Sequence, residues 1–413
     1  MKRLLLPAAV LVALWATVLV AGPLSDTRVS DLYLYGTYAR ALNDGAAPYR
    51  DLALEYPPLA LAPIWLPALP SEDPSVYSIG FALLMLVAML ATMVLTARLA
   101  EAGGRAPSSA SALLAWRPSR QALTAAWLVA LSPLLCGAML RTHFDLLPTA
   151  IVLAALLALV RDRSLLGFAL LGVGAMTKLF PALVVPIAAA WLLGRGRTRE
   201  AVLGVIAFAA VILAVSAPFA GSGYVDAYTF HLERPVQIES APASVLWAIG
   251  GSTVTGDPVA PDRFKSNGLD GGAAREVSTA FLVVEVAALA WIVLRAFRRP
   301  QPRALVLAAF AAVLAFAALG KVLSPQFVVW LVPFAAVAWA WGERTVAVLC
   351  GGAMALTLVE FPVRYWDLVD GEPGIVAIVA ARNALLLAAL VTLLAREAGA
   401  ARSRSRVVAP LPG

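Results

Sequence analysis

The sequence predicts an all-α integral membrane protein, a polytopic helical bundle of about twelve transmembrane helices. Three observations carry that expectation. Hydrophobic residues make up 61% of the 413 positions and charged residues only 14%, with a mean hydropathy of +0.83, a balance foreign to soluble domains. Apolar runs of about 18 residues or more recur along the chain. Lysine and arginine also collect in alternate connections between those runs, as in proteins whose topology is set by cytoplasmic positive charge.

The expected spans lie near 4–22, 76–97, 122–140, 146–160, 164–177, 179–194, 201–219, 276–294, 304–320, 325–341, 345–361 and 375–395. The pieces within 146–194 are short enough to be broken or tilted helices. The first run follows Lys2 and Arg3 and has the form of a signal peptide, but a retained span leaves both termini on one basic side. This gives one transmembrane unit over 1–395 and a basic tail over 396–413, which suits an anionic cytoplasmic leaflet.

Orientation follows from the basic connections. Arg98, Arg105, Arg117 and Arg120, then Arg161 and Arg163, Arg195 to Arg199, Arg295 to Arg303, Arg344, and Arg396 to Arg406 all fall on one side. That side is cytoplasmic by the positive-inside rule. The two long loops, 23–75 and 220–275, lie opposite and hold most of the carboxylates. A multi-pass protein of the cell membrane with extracytoplasmic chemistry and cytoplasmic termini is the expectation.

The same composition excludes several classes. A net charge of +7 spread in short clusters does not suggest nucleic acid. Cys136 and Cys350 sit inside apolar runs as small hydrophobes, and His143 and His231 are the only histidines, so no metal is predicted. The chain has no GxxxxGK[ST] loop and no GxSxG elbow. It also shows no long-period repeat or inverted pair of broken helices.

The stretch SDLYLYGTYARALNDGAAPYRDLALEYPP, residues 30–58, is the most informative. Asp31 opens a short amphipathic helix in which Tyr35, Tyr38 and Leu42 follow at helical spacing, and Asn43-Asp44-Gly45 closes it. Pro48-Tyr49 and Glu55-Tyr56-Pro57-Pro58 then direct an extended path back to the bilayer. A carboxylate on such a helix, over the mouth of a bundle, suits a general base. A solvated interfacial helix in an aromatic belt has the same pattern.

Four other outward clusters stand out. Arg141-Thr142-His143-Phe144-Asp145 brings ionisable groups to an outer turn, where an interfacial anchor is the alternative. Thr177-Lys178-Leu179-Phe180-Pro181 sets a lysine between apolar runs, to face a partner or polar cavity or to snorkel outward. The string from His231 to Ser240, with Glu233, Arg234, Gln237 and Glu239, suits a hydroxyl-rich ligand, although a solvated loop reads similarly. Lys321, followed by Ser324-Pro325-Gln326 at a helix start, forms a potential anion site with Lys178 and Arg141. Glu285 and Arg382, both within spans, are expected to pair with each other.

Taken in order, SDLYLYGTYARAL…G…PYRD…EYPP, RTHFDLLP, TKLFPALVVP, RPVQIES and KVLSPQFVVWLVP resemble glycosyltransferase family 87, polytopic enzymes of the GT-C class that include polyprenol-phosphate-mannose-dependent mannosyltransferases. The resemblance spans roughly residues 25–340 and rests on the ordered set of motifs. It implies a GT-C type bundle, a polyprenyl-phosphate sugar donor as co-substrate, a lipid or glycan acceptor, and inversion at the anomeric carbon. By that likeness Asp31 matches the catalytic base. Lys178, Arg141 and Lys321 are the candidates for the donor phosphate. Tyr35, Glu55, Tyr56, His143, Asp145, Arg234, Gln237 and Glu239 are the candidates for sugar and acceptor. Inverting transfer needs one base and no second acid, because phosphate leaves as a stable anion. A transporter or flippase for a lipid-linked sugar would hold phosphate with the same cations but has no use for a base at Asp31.

Overall fold

The computed structural model describes residues 2–20, 22–102, 116–221, 223–256 and 266–407. Each expected apolar window contains a helix: Leu5–Val20, Pro74–Ala102, Arg120–Leu131, Leu146–Val160, Ser164–Thr177, Val184–Gly194, Thr198–Ser216, Ala274–Arg298, Pro302–Leu319, Val328–Ala340, Arg344–Glu360 and Pro373–Val407. Among the described residues five helices are long and apolar enough to cross a membrane: Pro74–Ala102, Thr198–Phe219, Ala274–Arg298, Pro302–Leu319 and Pro373–Ala395. The chain is therefore an α-helical membrane protein, with several shorter apolar helices packed among the long ones.

The short pieces have local causes. After Leu131 the third window is broken by Pro133, and Gly137 at φ +53 turns the chain into a last short helix, Met139–Thr142. Lys178 is extended and separates Ser164–Thr177 from the 3-10 turn Phe180–Leu183, whose Pro181 continues into Val184–Gly194. These breaks put polar side chains at helix ends, where the backbone already needs partners.

Pro302–Leu319 and Val328–Ala340 are nearly all buried and form the centre of the bundle. Thr198–Phe219 and Ala274–Arg298 are peripheral, presenting leucines and valines such as Leu213, Val283 and Val286 outward. Gly194 explains one tight crossing: an added Cβ there would stand 2.0 Å from the Phe297 carbonyl oxygen.

The arginine-rich connections gather at one end. Trp341 Nε1 donates to Ala100 O at 2.7 Å, Trp191 Nε1 to Gln301 O at 3.1 Å, and Arg303 binds Trp341 O and Glu343 there, while Arg197 pairs with Asp162 and Glu200. Residues 103–115, in the basic connection that includes Arg105, and 408–413 of the basic tail lie outside the described residues.

The opposite end is built from the two long loops. In the second, Val236–Gln237, Thr253–Thr255 and Gly268–Asp270 form a small antiparallel sheet with the last strand central, an addition to the all-helical expectation. The first loop folds back as helix Leu32–Asn43, closed by Asp44 and by Gly45 at φ +89. The loops interlock at Tyr49, itself at φ +64. Its hydroxyl donates to Tyr56 O at 2.7 Å, and its carbonyl oxygen would lie 1.9 Å from a Cβ on Gly223, so only glycine fits there.

Candidate active site

Asp31 occupies the N-cap of Leu32–Asn43 but makes no capping bond, because its backbone is already helical (φ −79, ψ −4) and its carboxylate turns away. Instead Oδ2 accepts from the Tyr35 hydroxyl at 3.0 Å and faces the Tyr56 hydroxyl at 3.5 Å and His143 Nε2 at 3.6 Å. Tyr35, one turn on, is fully buried against Phe81 and Phe144, which fixes the direction of the carboxylate. Tyr38 donates to Glu55 at 2.7 Å, so the predicted tyrosine face holds two acids rather than one.

The segment Thr142 to Asp145 links this carboxylate to the first cation. His143 is extended and buried, with Nδ1 2.9 Å from Thr142 Oγ1. That hydroxyl already donates to Ala138 O at 2.9 Å, so it accepts from Nδ1–H. In the tautomer this bond selects, Nε2 is the acceptor nitrogen and it faces Asp31. Two residues on, Asp145 receives Lys178 Nζ on both oxygens, at 2.7 and 2.8 Å, and Trp330 Nε1 at 2.6 Å. The rings of Phe144, Phe327 and Trp330 surround the ammonium at 5.1, 5.7 and 5.7 Å, and Phe180 stacks on Trp330 at 4.1 Å. Two of the three N–H groups of Lys178 are used by Asp145, leaving one for a ligand.

These groups border a cavity of about 2040 Å³. Asp31, Glu55, Tyr56, His143, Lys178, Arg234, Gln237, Glu239 and Lys321 line its polar part. A second wall is apolar, with Leu183, Pro186 and Ile187 on one side and Leu282, Leu289 and Val293 of the peripheral helix on the other. Glu285 lies on that wall, buried and with no ion pair among the described residues.

Lys321 lines the cavity but holds the second loop: its ammonium donates to Leu232 O at 2.7 Å and Arg234 O at 2.8 Å. Burial, with Arg234 nearby, lowers its pKa. Arg234 reaches Ser266 Oγ, and burial likewise lowers its pKa. Gln237 donates to Glu239 Oε2 at 2.7 Å and Ser324 Oγ at 3.2 Å. Burial first, and then the neighbouring Glu360, push the Glu239 carboxyl well up. His231 Nε2 donates to Glu55 O at 2.9 Å, and burial lowers its pKa.

Three placements differ from the sequence expectation. Arg141 is not brought to the cavity. The turn at Gly137 aims it the other way, where Nε donates to Val18 O at 2.9 Å and Nη2 to Ser25 O at 2.8 Å, anchoring the last turn of the first helix. Tyr35 and Asp145 stand behind the lining, holding Asp31 and Lys178 respectively. Glu285 and Arg382 do not pair, because Arg382 faces the bundle interior and donates to Glu239 O and, at 3.5 Å, Thr357 Oγ1.

Sequence reasoning passed over the aromatic box of Phe180, Phe327 and Trp330, although all three stand in the strings that carry Lys178 and Lys321. It also passed over Glu360 and Tyr365, which surround Glu239. No periodic signal marks such residues, because they are apolar or sit at a helix end.

A comparison with curated proteins gives no match. The family model of glycosyltransferase family 87 matches residues 54–325, about two-thirds of the chain, and so covers Lys178, Arg234, Gln237, Glu239 and Lys321 but not Asp31, Glu360 or Arg382. The chain belongs to glycosyltransferase family 87 and is a membrane-embedded glycosyltransferase.

Proposed function

We propose that the protein transfers a sugar, with mannose the expected one, from a polyprenyl-phosphate donor to a hydroxyl of a lipid or glycan acceptor at the extracytoplasmic face. The observation that carries this reading is the meeting, in one cavity, of a carboxylate without a capping role, a caged lysine and an apolar wall. A polar phosphate and sugar joined to an isoprenoid chain match those two kinds of wall. The clustering of the arginine-rich connections at the other end supports an outward-facing site.

In the proposed reaction the acceptor oxygen attacks the anomeric carbon while its proton passes to Asp31. The bond from that carbon to the phosphate oxygen breaks, and the leaving phosphate keeps the electron pair. Configuration inverts because attack and departure take opposite faces. The remaining N–H of Lys178, with Arg234 and Lys321, offsets the charge that grows on the phosphate. Once protonated, Asp31 can pass the proton to the lone pair of His143, which resets the base.

The test is transfer by the purified chain in lipid nanodiscs, given a panel of radiolabelled polyprenyl-phosphate sugars and an acceptor-containing membrane extract. The expected result is label moving from one of these donors to acceptor with wild type and not with Asp31→Asn. Use of nucleotide sugars with no use of any lipid-linked donor would overturn the reading.

A further inference from the structure

A second run of aromatic rings starts beside Asp31. His143, whose Nε2 lies 3.6 Å from Asp31 Oδ2, has its ring centroid 6.2 Å from that of Phe361. Phe361 meets Tyr365 edge to face at 6.0 Å, and Tyr365 meets Trp366 edge to face at 5.3 Å. Exposure rises along the row, from 2% at His143 through 5% at Phe361 and 7% at Tyr365 to 44% at Trp366, so it leads outward from Asp31 to the surface. Asp31 and all four rings line the same cavity, and none of the four belongs to the box around Lys178.

The outer end of the row is braced. The Tyr365 hydroxyl donates to Asn267 Oδ1 at 2.9 Å, which ties this turn to the second long loop. Arg364 Nε donates to Asp367 Oδ2 at 2.6 Å and Nη2 to Glu372 Oε2 at 3.4 Å, so the charged neighbours of Trp366 satisfy one another. The indole N–H of Trp366 makes no hydrogen bond among the described residues. A tryptophan that anchors a membrane protein turns its ring to the headgroups, whereas this one borders the cavity that Asp31 borders. It offers an apolar face and one free donor. A pyranose fits both, with its C–H face on the ring and a hydroxyl on the N–H. An acyl chain would use the face alone, and the cavity already has an apolar wall at Leu183, Pro186 and Ile187 that suits a chain.

We propose that this row is the acceptor side of the site and that the acceptor is a glycan. Its reacting hydroxyl reaches Asp31 while a sugar unit farther from the reaction stacks on Trp366. This deepens the proposed transferase reading and rests on it for the role of Asp31. Trp366 is then a residue of acceptor specificity, supplied by a segment outside the residues 54–325 that the family model matches.

The test uses the purified chain in nanodiscs with a chloroform–methanol extract of membranes as acceptor. Mild periodate opens sugar rings with neighbouring hydroxyls and leaves acyl chains and isolated alcohols intact, so it should abolish acceptor activity. An extract that still accepts label after this treatment overturns the glycan. W366A is expected to raise the apparent KM for untreated extract about tenfold, the worth of one ring contact, with donor KM as in the wild type. W366F, which keeps a ring but no donor, should recover part of that loss. A merely structural role would move both constants, so equal acceptor KM in W366A and wild type, or a loss shared by donor KM, removes Trp366 from the acceptor. Fluorescence gives a readout without turnover. Untreated extract should shift the tryptophan emission of the wild type more than that of W366F, and periodate-treated extract should leave no such difference. The same shift in both proteins with untreated extract also overturns the assignment. Transfer to the extract can be followed with whichever labelled donor the chain consumes, so use of nucleotide sugars alone would sink the lipid-linked donor and still let these outcomes decide the acceptor.

Discussion

His143 Nε2 lies 3.6 Å from Asp31 Oδ2, while the other nitrogen of the same ring is held at 2.9 Å by Thr142 Oγ1. The hydroxyl fixes the tautomer, so a proton gained by the carboxylate has a place to go. Asp31→Asn is expected to reduce transfer by about 100- to 10,000-fold, the usual worth of a general base, with the fold intact. His143→Ala should cost about tenfold, and the double variant should be no slower than Asp31→Asn alone, since the two act as one unit. Single-turnover rates with the four proteins check this, and additive losses would separate the residues.

Lys178 and Asp145 form a nearly enclosed ion pair, with side chains 14% and 1% exposed. Asp145→Asn leaves the ammonium short of its counter-charge inside an aromatic box. It is expected to destabilise the protein by about 3–5 kcal/mol and to weaken donor binding. Lys178→Met/Asp145→Asn should recover much of the stability and none of the transfer. Thermal unfolding in nanodiscs, read beside donor KM, distinguishes the two effects. Recovery of transfer in the double variant would remove Lys178 from the phosphate.

Arg141 predicts the reverse pattern. Because it binds the carbonyls of Val18 and Ser25, Arg141→Ala should cost about 1–3 kcal/mol of stability through unpaired backbone oxygens, seen as a lower melting temperature. The fraction that folds should bind donor as wild type does. A raised donor KM in well-folded Arg141→Ala would return this arginine to the site.

Burial holds the pKa of His231 below its ordinary 6.5, with Arg234 and Lys178 also lowering it and Glu55 raising it. The unfolded chain therefore binds a proton before the folded one does. The stability His231 contributes is complete above about pH 6.5 and is lost as pH falls through the folded value. His231→Gln should flatten the acid side of a plot of melting temperature against pH between about pH 7 and pH 5. An unchanged slope in that window would show that His231 has no such linkage.

Much of this could be read from the sequence because the membrane imposes strong rules. Apolar run length located the helices, and the alternation of arginine separated the two ends. Asp31, Lys178 and Gln237 stood out as polar residues where an apolar one would be cheaper. What escaped was direction. Arg141 and His143 are two residues apart, and the end of the helix Met139–Thr142, with His143 extended after it, lets one face the first helix and the other the cavity. Arg382 was assigned to Glu285 because both lie in spans, but its partners come from Glu239 and Thr357, 143 and 25 residues away in sequence. Pairing across such distances depends on helix rotation, which periodicity in a uniformly apolar helix does not encode. The strands around Val236 and Leu269 are two and three residues long, too short for any alternation to register.

The idle cap at Asp31 has a thermodynamic consequence. A well-placed Ser or Asn at a helix start contributes about 1 kcal/mol, and here that contribution is forgone so that the carboxylate can look elsewhere. Selection for heat resistance alone would therefore tend to erode this position, trading turnover for a firmer helix. Thermostable descendants that keep an aspartate at 31 would have been retained by the chemistry and not by the fold.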